Sequence, residues 1–165
     1  MTQPKVSIVM GSDSDFAVME EAGKALREFG IPCEYRILSA HRTPDQCNEY
    51  VKGVEGRGIK VLIAGAGYSA HLAGVLAAGT VLPVIGVPLE GSPLNGLDAL
   101  LAMGQMPGGI PVATMTIGKA GAKNAGIFAA EILAVHDEKI SEKLKAFRKS
   151  QEEKVLKKDK EIQSK

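Results

Sequence analysis

Short apolar runs alternate along the chain with segments whose apolar residues recur every three or four positions. The runs cover residues 6–10, 35–38, 61–66, 84–87 and 112–117. They largely lack the alternation of apolar and polar positions that marks a strand with one face in water, so they are typical of strands buried on both faces. The segments between them predict helices over residues 16–29, 44–54, 69–79, 93–103 and 119–135.

This alternation of strands and helices predicts an α/β fold, a three-layer sandwich in a single domain. Short connections favour right-handed crossovers, which place parallel strands between two layers of helices. We expect a parallel five-stranded flavodoxin-like sheet in the order 2-1-3-4-5, with ligands beyond the carboxyl ends of the strands where strand order reverses. Residues 11–15, 39–42 and 65–71 follow the first three strands, so we expect them along one edge of the sheet.

The chain becomes highly charged from residue 137 onward. We expect residues 1–136 to form the α/β catalytic domain and residues 137–165 to form a C-terminal helix of the same unit. Its apolar positions form a narrow stripe of Ile140, Leu144, Phe147, Val155, Leu156 and Ile162. A helix this polar gains little by folding onto its own domain, so the stripe is predicted to pack on a neighbouring subunit, with a solvated or frayed end near 157–165. A simple surface helix is the alternative, and the pattern does not choose between them.

Charge and composition argue against several classes of partner. The 165 residues include 20 Lys and Arg and 19 Asp and Glu, and a net charge of +1 provides no broad positive surface for nucleic acid or an anionic membrane. No apolar run approaches the ~20 residues of a membrane-spanning helix, and the first residues lack an apolar targeting segment. Cys33 and Cys47 lack metal-ligand spacing and are interpreted as reduced thiols. We therefore expect a cytoplasmic protein.

A reactive pair, His41 and Arg42, follows the second predicted strand within Ser39-Ala-His-Arg-Thr-Pro44. A histidine gives or takes a proton near pH ~6.5, and the planar guanidinium of arginine suits a phosphate or carboxylate. The pair therefore indicates chemistry on an anion. Considered alone, it could also be a loop histidine beside a solvated arginine.

The loop after the first strand, Gly11-Ser-Asp-Ser-Asp15, opens a predicted helix. Free backbone N–H groups and the helix dipole favour an anion or an acidic cap at such a position. The hydroxyl of Ser12 adds a donor, and Asp15 can accept hydrogen bonds from sugar hydroxyls, so the loop suits a ribose phosphate. Asp13 or Ser14 is expected to do no more than cap the helix.

A glycine-rich turn, Gly65-Ala-Gly-Tyr-Ser-Ala-His71, follows the third strand and matches G-x-G-x-x-A, with Glu90 about 20 residues beyond it. As a dinucleotide fingerprint it is misplaced, because that motif belongs after the opening strand. The glycines Gly65 and Gly67 also suit either a close approach of a small ligand to the backbone or tight packing of a helix against the sheet. His71 either faces that ligand or is bonded in the core.

The loops at 88–96 and 105–111 are rich in glycine and proline and are expected to be lids or interfaces.

Five segments in a fixed order resemble the N5-carboxyaminoimidazole ribonucleotide mutase family of purine biosynthesis, the class I PurE family. The segments are residues 11–15, 39–44, 65–72, 82–88 and 105–111. The similarity runs from about residue 6 to residue 149. It implies an isomerase that moves a carboxyl group from the exocyclic nitrogen of an aminoimidazole ribonucleotide to ring carbon 4. It also implies that there is no metal or organic cofactor, and a homo-octamer whose sites are completed by adjacent subunits.

The resemblance also implies roles for individual residues. Ser12 and Asp15 would hold the ribose phosphate, with Asp15 at the ribose hydroxyls, and Arg42 would bind the phosphate. His41 would carry the proton, after decarboxylation and capture of the trapped carbon dioxide by carbon 4. Further implied substrate-binding positions are Ser39, Gly65, Gly67 and His71.

Other functions remain open at this point. Tyr68 and Ala73 depart from the mutase pattern, which has glycine and proline there. The related carboxylases, which use free carbon dioxide, usually have an Arg-Ser-Asn run in this loop, and its absence favours the mutase. A nicotinamide-dependent oxidoreductase using residues 65–70 and Glu90, and a non-catalytic nucleotide sensor, are alternatives from other classes.

Overall fold

A parallel β-sheet forms the centre of the computed structural model, which describes residues 3–165. The strands are β1 Val6–Met10, β2 Cys33–Ile37, β3 Val61–Ala66, β4 Val84–Pro88 and β5 Ala113–Thr114. They are hydrogen-bonded in the order β2-β1-β3-β4-β5, and each neighbouring pair is parallel. The predicted fold class and strand order are confirmed.

Helices cover both faces of this sheet. They are α1 Phe16–Glu28, α2 Pro44–Gly53, α3 Leu72–Ala78, α4 Leu97–Gly104, α5 Gly118–Ala134 and α6 Glu138–Gln163. Ile8 and Ile63 pack in one core with α1 and α5, whereas Val9 and Leu62 pack in a second core with α2, α3 and α4. Neighbouring residues of a strand point to opposite faces, so the unbroken apolar runs are explained by burial on both sides. Within residues 3–165, no helix has the length and apolar character needed to cross a bilayer.

Two helices begin later than the sequence pattern predicts. Tyr68 has a φ of 53°, and α3 begins at Leu72 rather than at residue 69. Asn95 and Gly96 have φ values of 50° and 84°, and α4 begins at Leu97 rather than at residue 93. Asn95 and Gly96 lie inside the predicted helix, and left-handed residues cannot continue a right-handed helix, so α4 begins after them. Before α3, the backbone N–H groups of Ala70 and His71 bond to carbonyl oxygens two residues back, so this segment forms a turn instead of the first turn of the helix. The last strand is also shorter than predicted, because only Ala113 and Thr114 pair with β4.

The C-terminal helix α6 is divided between a packed half and an exposed half. Asp137 caps its first turn by accepting a hydrogen bond from the backbone N–H of Ile140, 3.2 Å away. The apolar positions of the first half pack against the core of the same chain: Ile140, Leu144 and Phe147. Those of the second half are exposed: Val155, Leu156 and Ile162. The helix continues to Gln163, so the predicted solvated end is helical.

Both cysteines are free thiols, and they differ in burial. Cys33 is half-buried in β2, and Cys47 is fully buried in α2. Burial raises the pKa of each thiol. Both side chains therefore act as packing groups in the two cores.

Candidate active site

A cleft of about 630 Å³ lies at the carboxyl edge of the sheet. Its walls come from the loops that follow β1, β2, β3 and β4. The strand order places the β1 loop between those of β2 and β3. This is the edge at which strand order reverses, so the cleft lies where the sequence predicts a ligand.

Two histidines meet in this cleft. Nε2 of His41, in the loop after β2, lies 2.8 Å from Nδ1 of His71, just before α3. The ring centroids are 4.9 Å apart and the planes are nearly perpendicular, at 87°. At this separation one nitrogen donates and the other accepts, so a single proton lies between the rings. Because both side chains are exposed, the pair can take a proton from a bound ligand or return one.

Arg42 is held at the edge of the cleft by two loops. Its Nη2 donates to the carbonyl oxygen of Gly11, 2.8 Å away in the β1 loop. Its Nε and its backbone N–H donate to the hydroxyl of Ser39, at 3.4 and 3.2 Å. Arginine has five N–H donors in its fork, so these bonds orient the cation and leave side-chain donors for an anion.

The β1 loop is folded by a reciprocal cap between Ser12 and Asp15. The Ser12 hydroxyl accepts from the backbone N–H of Ser14 at 3.3 Å, and Oδ2 of Asp15 accepts from the backbone N–H of Ser12 at 3.1 Å. Ser12 and Asp15 therefore carry the cap that the sequence analysis assigned to Asp13 or Ser14. Partial burial raises the pKa of Asp15, against the opposing effects of the Ser12 hydrogen bond and the positive Arg42.

The two glycines of the β3 motif have different surroundings. Gly67 lines the cleft, and a Cβ at this position would lie 3.2 Å from the carbonyl oxygen of Leu89. Gly65 is buried within β3 and is not among the residues that line the cleft. A Cβ there would lie 2.3 Å from Sδ of Met19, so the absence of a side chain at Gly65 makes room for α1.

The loop after β4 supplies a wall that sequence reasoning did not place in the site. Glu90 and Gly91 line the cleft together with residues of the β1, β2 and β3 loops. The glycine and proline content of this loop predicts a lid or interface, and the sequence points to Glu90 only through a dinucleotide fingerprint. Ligands in such sheets bind beyond the carboxyl ends of the strands. Applied to β4, this rule would have placed both Glu90 and Gly91 in the site.

The cleft thus contains most of the residues predicted from sequence. His41, Arg42 and their partners lie together, and the exception is Gly65. In the part of the chain that the structure describes, no group of three or more His, Cys, Asp or Glu residues is arranged to hold a metal ion.

Comparisons with known proteins place this site in a family. The AIR carboxylase family model matches residues 5–154. The N5-carboxyaminoimidazole ribonucleotide mutase of Pyrococcus horikoshii is 53% identical over 98% of this chain and 90% of its own length. The Bacillus subtilis protein of the same name is 54% identical over 93% of this chain and 95% of its own length.

Solved structures agree with the sequence comparison. The crystal structure of Treponema denticola PurE has a TM-score of 0.88 at 31% identity, covering 96% of this chain and 98% of its own. A 3-dehydroquinate dehydratase-like protein from Bifidobacterium longum, with a TM-score of 0.52 at 14% identity, shares the fold alone. The family model and the relatives confirm the resemblance found in the sequence, and the chain belongs to the AIR carboxylase family that includes these mutases.

Proposed function

We propose that the cleft converts N5-carboxyaminoimidazole ribonucleotide into 4-carboxy-5-aminoimidazole ribonucleotide, the mutase step of purine biosynthesis. The observation that supports this most directly is the His41–His71 pair, with nitrogens 2.8 Å apart, in the same cleft as Arg42. The reaction needs a proton carrier beside an anion-binding group, and the cleft provides both.

In this proposal the nucleotide is held at its phosphorylated end by the β1 and β2 loops. Arg42 binds the phosphate because its fork is already oriented by Ser39 and the Gly11 carbonyl. The hydroxyl of Ser12 adds a further contact to the phosphate. Asp15 accepts hydrogen bonds from the ribose hydroxyls through its carboxylate.

The reaction replaces a nitrogen–carbon bond to the carboxyl group with a carbon–carbon bond, with no net gain or loss of protons. The bond between the exocyclic nitrogen and the carboxyl carbon breaks, carbon dioxide is released into the cleft, and the nitrogen gains a proton. Ring carbon 4 then attacks the carbon dioxide, and His41 removes the proton that carbon 4 loses. One proton is added to the nitrogen and one is removed from carbon 4. His71 is placed to share the proton that His41 carries.

The proposal favours a mutase over a carboxylase that uses free carbon dioxide. Two relatives more than half identical to this chain bear the mutase name, and the Arg-Ser-Asn run of the carboxylases is absent from the β3 loop. The test supplies the N-carboxylated nucleotide without added bicarbonate and follows formation of the carbon-carboxylated product. Product formation only from aminoimidazole ribonucleotide at high bicarbonate would identify a carboxylase instead.

Replacing the proposed proton carrier tests the mechanism. His41→Asn should lower kcat by ~10² to 10⁴, the usual range for positioned proton transfer, and leave nucleotide affinity largely unchanged in calorimetric titration. His136→Asn is the matched control, since His136 is exposed and lies outside the cleft. Full turnover in His41→Asn would exclude this residue as the base.

We further propose a homo-octamer in the cytoplasm, in which residues 137–165 extend from the catalytic domain of residues 1–136. Because Ile140, Leu144 and Phe147 pack on their own chain, the second half of α6 alone is proposed to pack on a neighbouring copy. The exposed second half of α6 supports this packing, because Val155, Leu156 and Ile162 remain accessible along one stripe. The two free thiols suit a reducing compartment.

A further inference from the structure

Tyr68 lines the cleft in a backbone conformation that tyrosine disfavours. Its φ of 53° lies in the left-handed region, where the Cβ of an ordinary residue crowds the following carbonyl oxygen. Among residues 3–165, Tyr68 and Asn95 are the two residues other than glycine with a positive φ, and asparagine tolerates it better. A glycine would adopt this conformation without strain. Strain of this kind is concentrated at functional sites, so the tyrosine ring calls for a functional explanation.

The loop around Tyr68 is held in place from two sides. The carbonyl oxygen of Tyr68 accepts a hydrogen bond from the backbone N–H of Ala70 at 2.9 Å. On the other side, Gly67 packs so closely against the loop after β4 that a Cβ would lie 3.2 Å from the carbonyl oxygen of Leu89. The backbone position of Tyr68, from which its side chain starts, is therefore fixed by the neighbouring loops.

The ring bridges the two loops that form one wall of the cleft. It is 61% exposed, and a Cβ added to Gly91 would lie 3.5 Å from Cε2 of Tyr68. Gly91 has a φ of 154° and no side chain that could displace the ring. The neighbouring wall residues Gly67 and Ser69 are small, so Tyr68 supplies the bulky apolar surface in this part of the cleft.

We propose that Tyr68 is a positioning residue whose ring covers the carboxyl end of the bound nucleotide and retains carbon dioxide until ring carbon 4 captures it. This inference rests on the proposed mutase function. Carbon dioxide is small and uncharged and offers few groups for a protein to bind, so enclosure is the main way to keep it. A rigid aromatic ring covers a large area with few rotatable bonds and excludes water.

The test measures how often carbon dioxide escapes during turnover. The enzyme converts unlabelled N-carboxylated nucleotide in carbon-13 bicarbonate with carbonic anhydrase, and mass spectrometry measures the label in the product and the yield of uncarboxylated nucleotide. Reactions without enzyme correct for spontaneous decarboxylation. Tyr68→Gly should increase both labelled product and uncarboxylated nucleotide severalfold per turnover. Tyr68→Phe keeps the ring and should match the parent enzyme.

The variants separate this role from simpler ones. Tyr68→Gly relieves the backbone, so it should fold and melt no lower than the parent, and a thermal melt checks this. Equal escape in the glycine variant and the parent would overturn the role of Tyr68 while leaving the mutase proposal intact. A raised KM with unchanged escape would also overturn it, by identifying a substrate-binding side chain. If the parent forms no product from the N-carboxylated nucleotide, the mutase proposal fails, and this inference fails with it.

Discussion

Asp15 combines a structural role and a proposed binding role in one side chain. Its carboxylate completes the cap with Ser12, and burial raises its pKa despite that bond and the nearby Arg42. Because the folded pKa lies above the unfolded one, the contribution of Asp15 to stability is complete below the unfolded pKa. It is lost as pH rises through the folded pKa. At neutral pH the ionised carboxylate therefore lowers the free energy of unfolding relative to a neutral side chain.

Asp15→Asn should be more stable than the parent at neutral pH, because the amide oxygen can still accept from Ser12 without a buried charge. Urea unfolding should show this difference at neutral pH and should show it shrinking as the pH falls toward the unfolded pKa. Nucleotide binding should weaken in the same variant. Asp13→Asn, at an exposed position of the same turn, is the control and should leave both the free energy of unfolding and nucleotide binding unchanged. A loss of stability in Asp15→Asn at neutral pH would contradict this account.

Substitution of Gly65 tests whether this glycine of the β3 motif serves packing or ligand binding. Gly65→Ala would place a Cβ 2.3 Å from Sδ of Met19, and overpacking of this kind typically lowers the free energy of unfolding by about 1–3 kcal/mol. Gly53→Ala, where no atom lies within 4 Å of the new Cβ, should instead gain roughly 0.5–1 kcal/mol at the end of α2. Urea titrations measure both. If Gly65→Ala kept its stability but lost nucleotide binding, Gly65 would be a substrate-binding residue and not a packing residue.

At the scale of elements, α6 performs different tasks along its length. Leu144 is 9% exposed within the core, whereas Leu156 is 53% exposed. Leu144→Ala should lower the free energy of unfolding by about 2 kcal/mol, the low end for a buried leucine, because it lies at the edge of the core. Leu156→Ala should change the stability of the dissociated subunit by less than about 0.5 kcal/mol, because Leu156 is exposed on the single chain. Dilute urea unfolding followed by circular dichroism compares them, and equal losses would contradict the division of the helix.

The strands were more predictable than the helix starts. Burial on both faces gives an apolar run with a clear length, so β1 and β3 match their predicted bounds. The starts of α3 and α4 depend on backbone turns, one over residues 68–71 and one at Asn95 and Gly96, and hydrophobic periodicity contains no information on backbone angles. Gly96 is an ordinary signal for such a turn, but Tyr68 is not.

The same distinction applies to the site. Strand order predicts that the loops holding His41, Arg42 and Asp15 share an edge, because parallel strands end at the same side. The 2.8 Å contact of His41 with His71 depends on how two side chains are directed across different loops. The orientation of Gly65 toward α1 depends on which face of β3 it occupies. Neither follows from residue types and spacing alone.

For the whole molecule, the proposed assembly predicts a mass well above that of one 17.4 kDa chain. Light scattering at micromolar concentration should give a mass close to that of eight chains. Leu156→Glu places a charge in the exposed stripe of α6 and should yield smaller species with reduced activity, since neighbouring subunits complete the sites in this proposal. Lys157→Glu changes charge at the adjacent exposed position and serves as the control. A fully active monomer would contradict both the assembly and the shared site.

The two cysteines of the cores have a practical consequence for handling the protein. The thiolate is the form that reacts with peroxide, disulfides and alkylating reagents, and burial raises the pKa of both Cys33 and Cys47. Both thiols should react more slowly than an exposed cysteine, and the buried Cys47 should react more slowly than the half-buried Cys33. Maleimide should label the folded chain slowly and the urea-unfolded chain quickly, which makes alkylation a simple readout of unfolding for the variants described above.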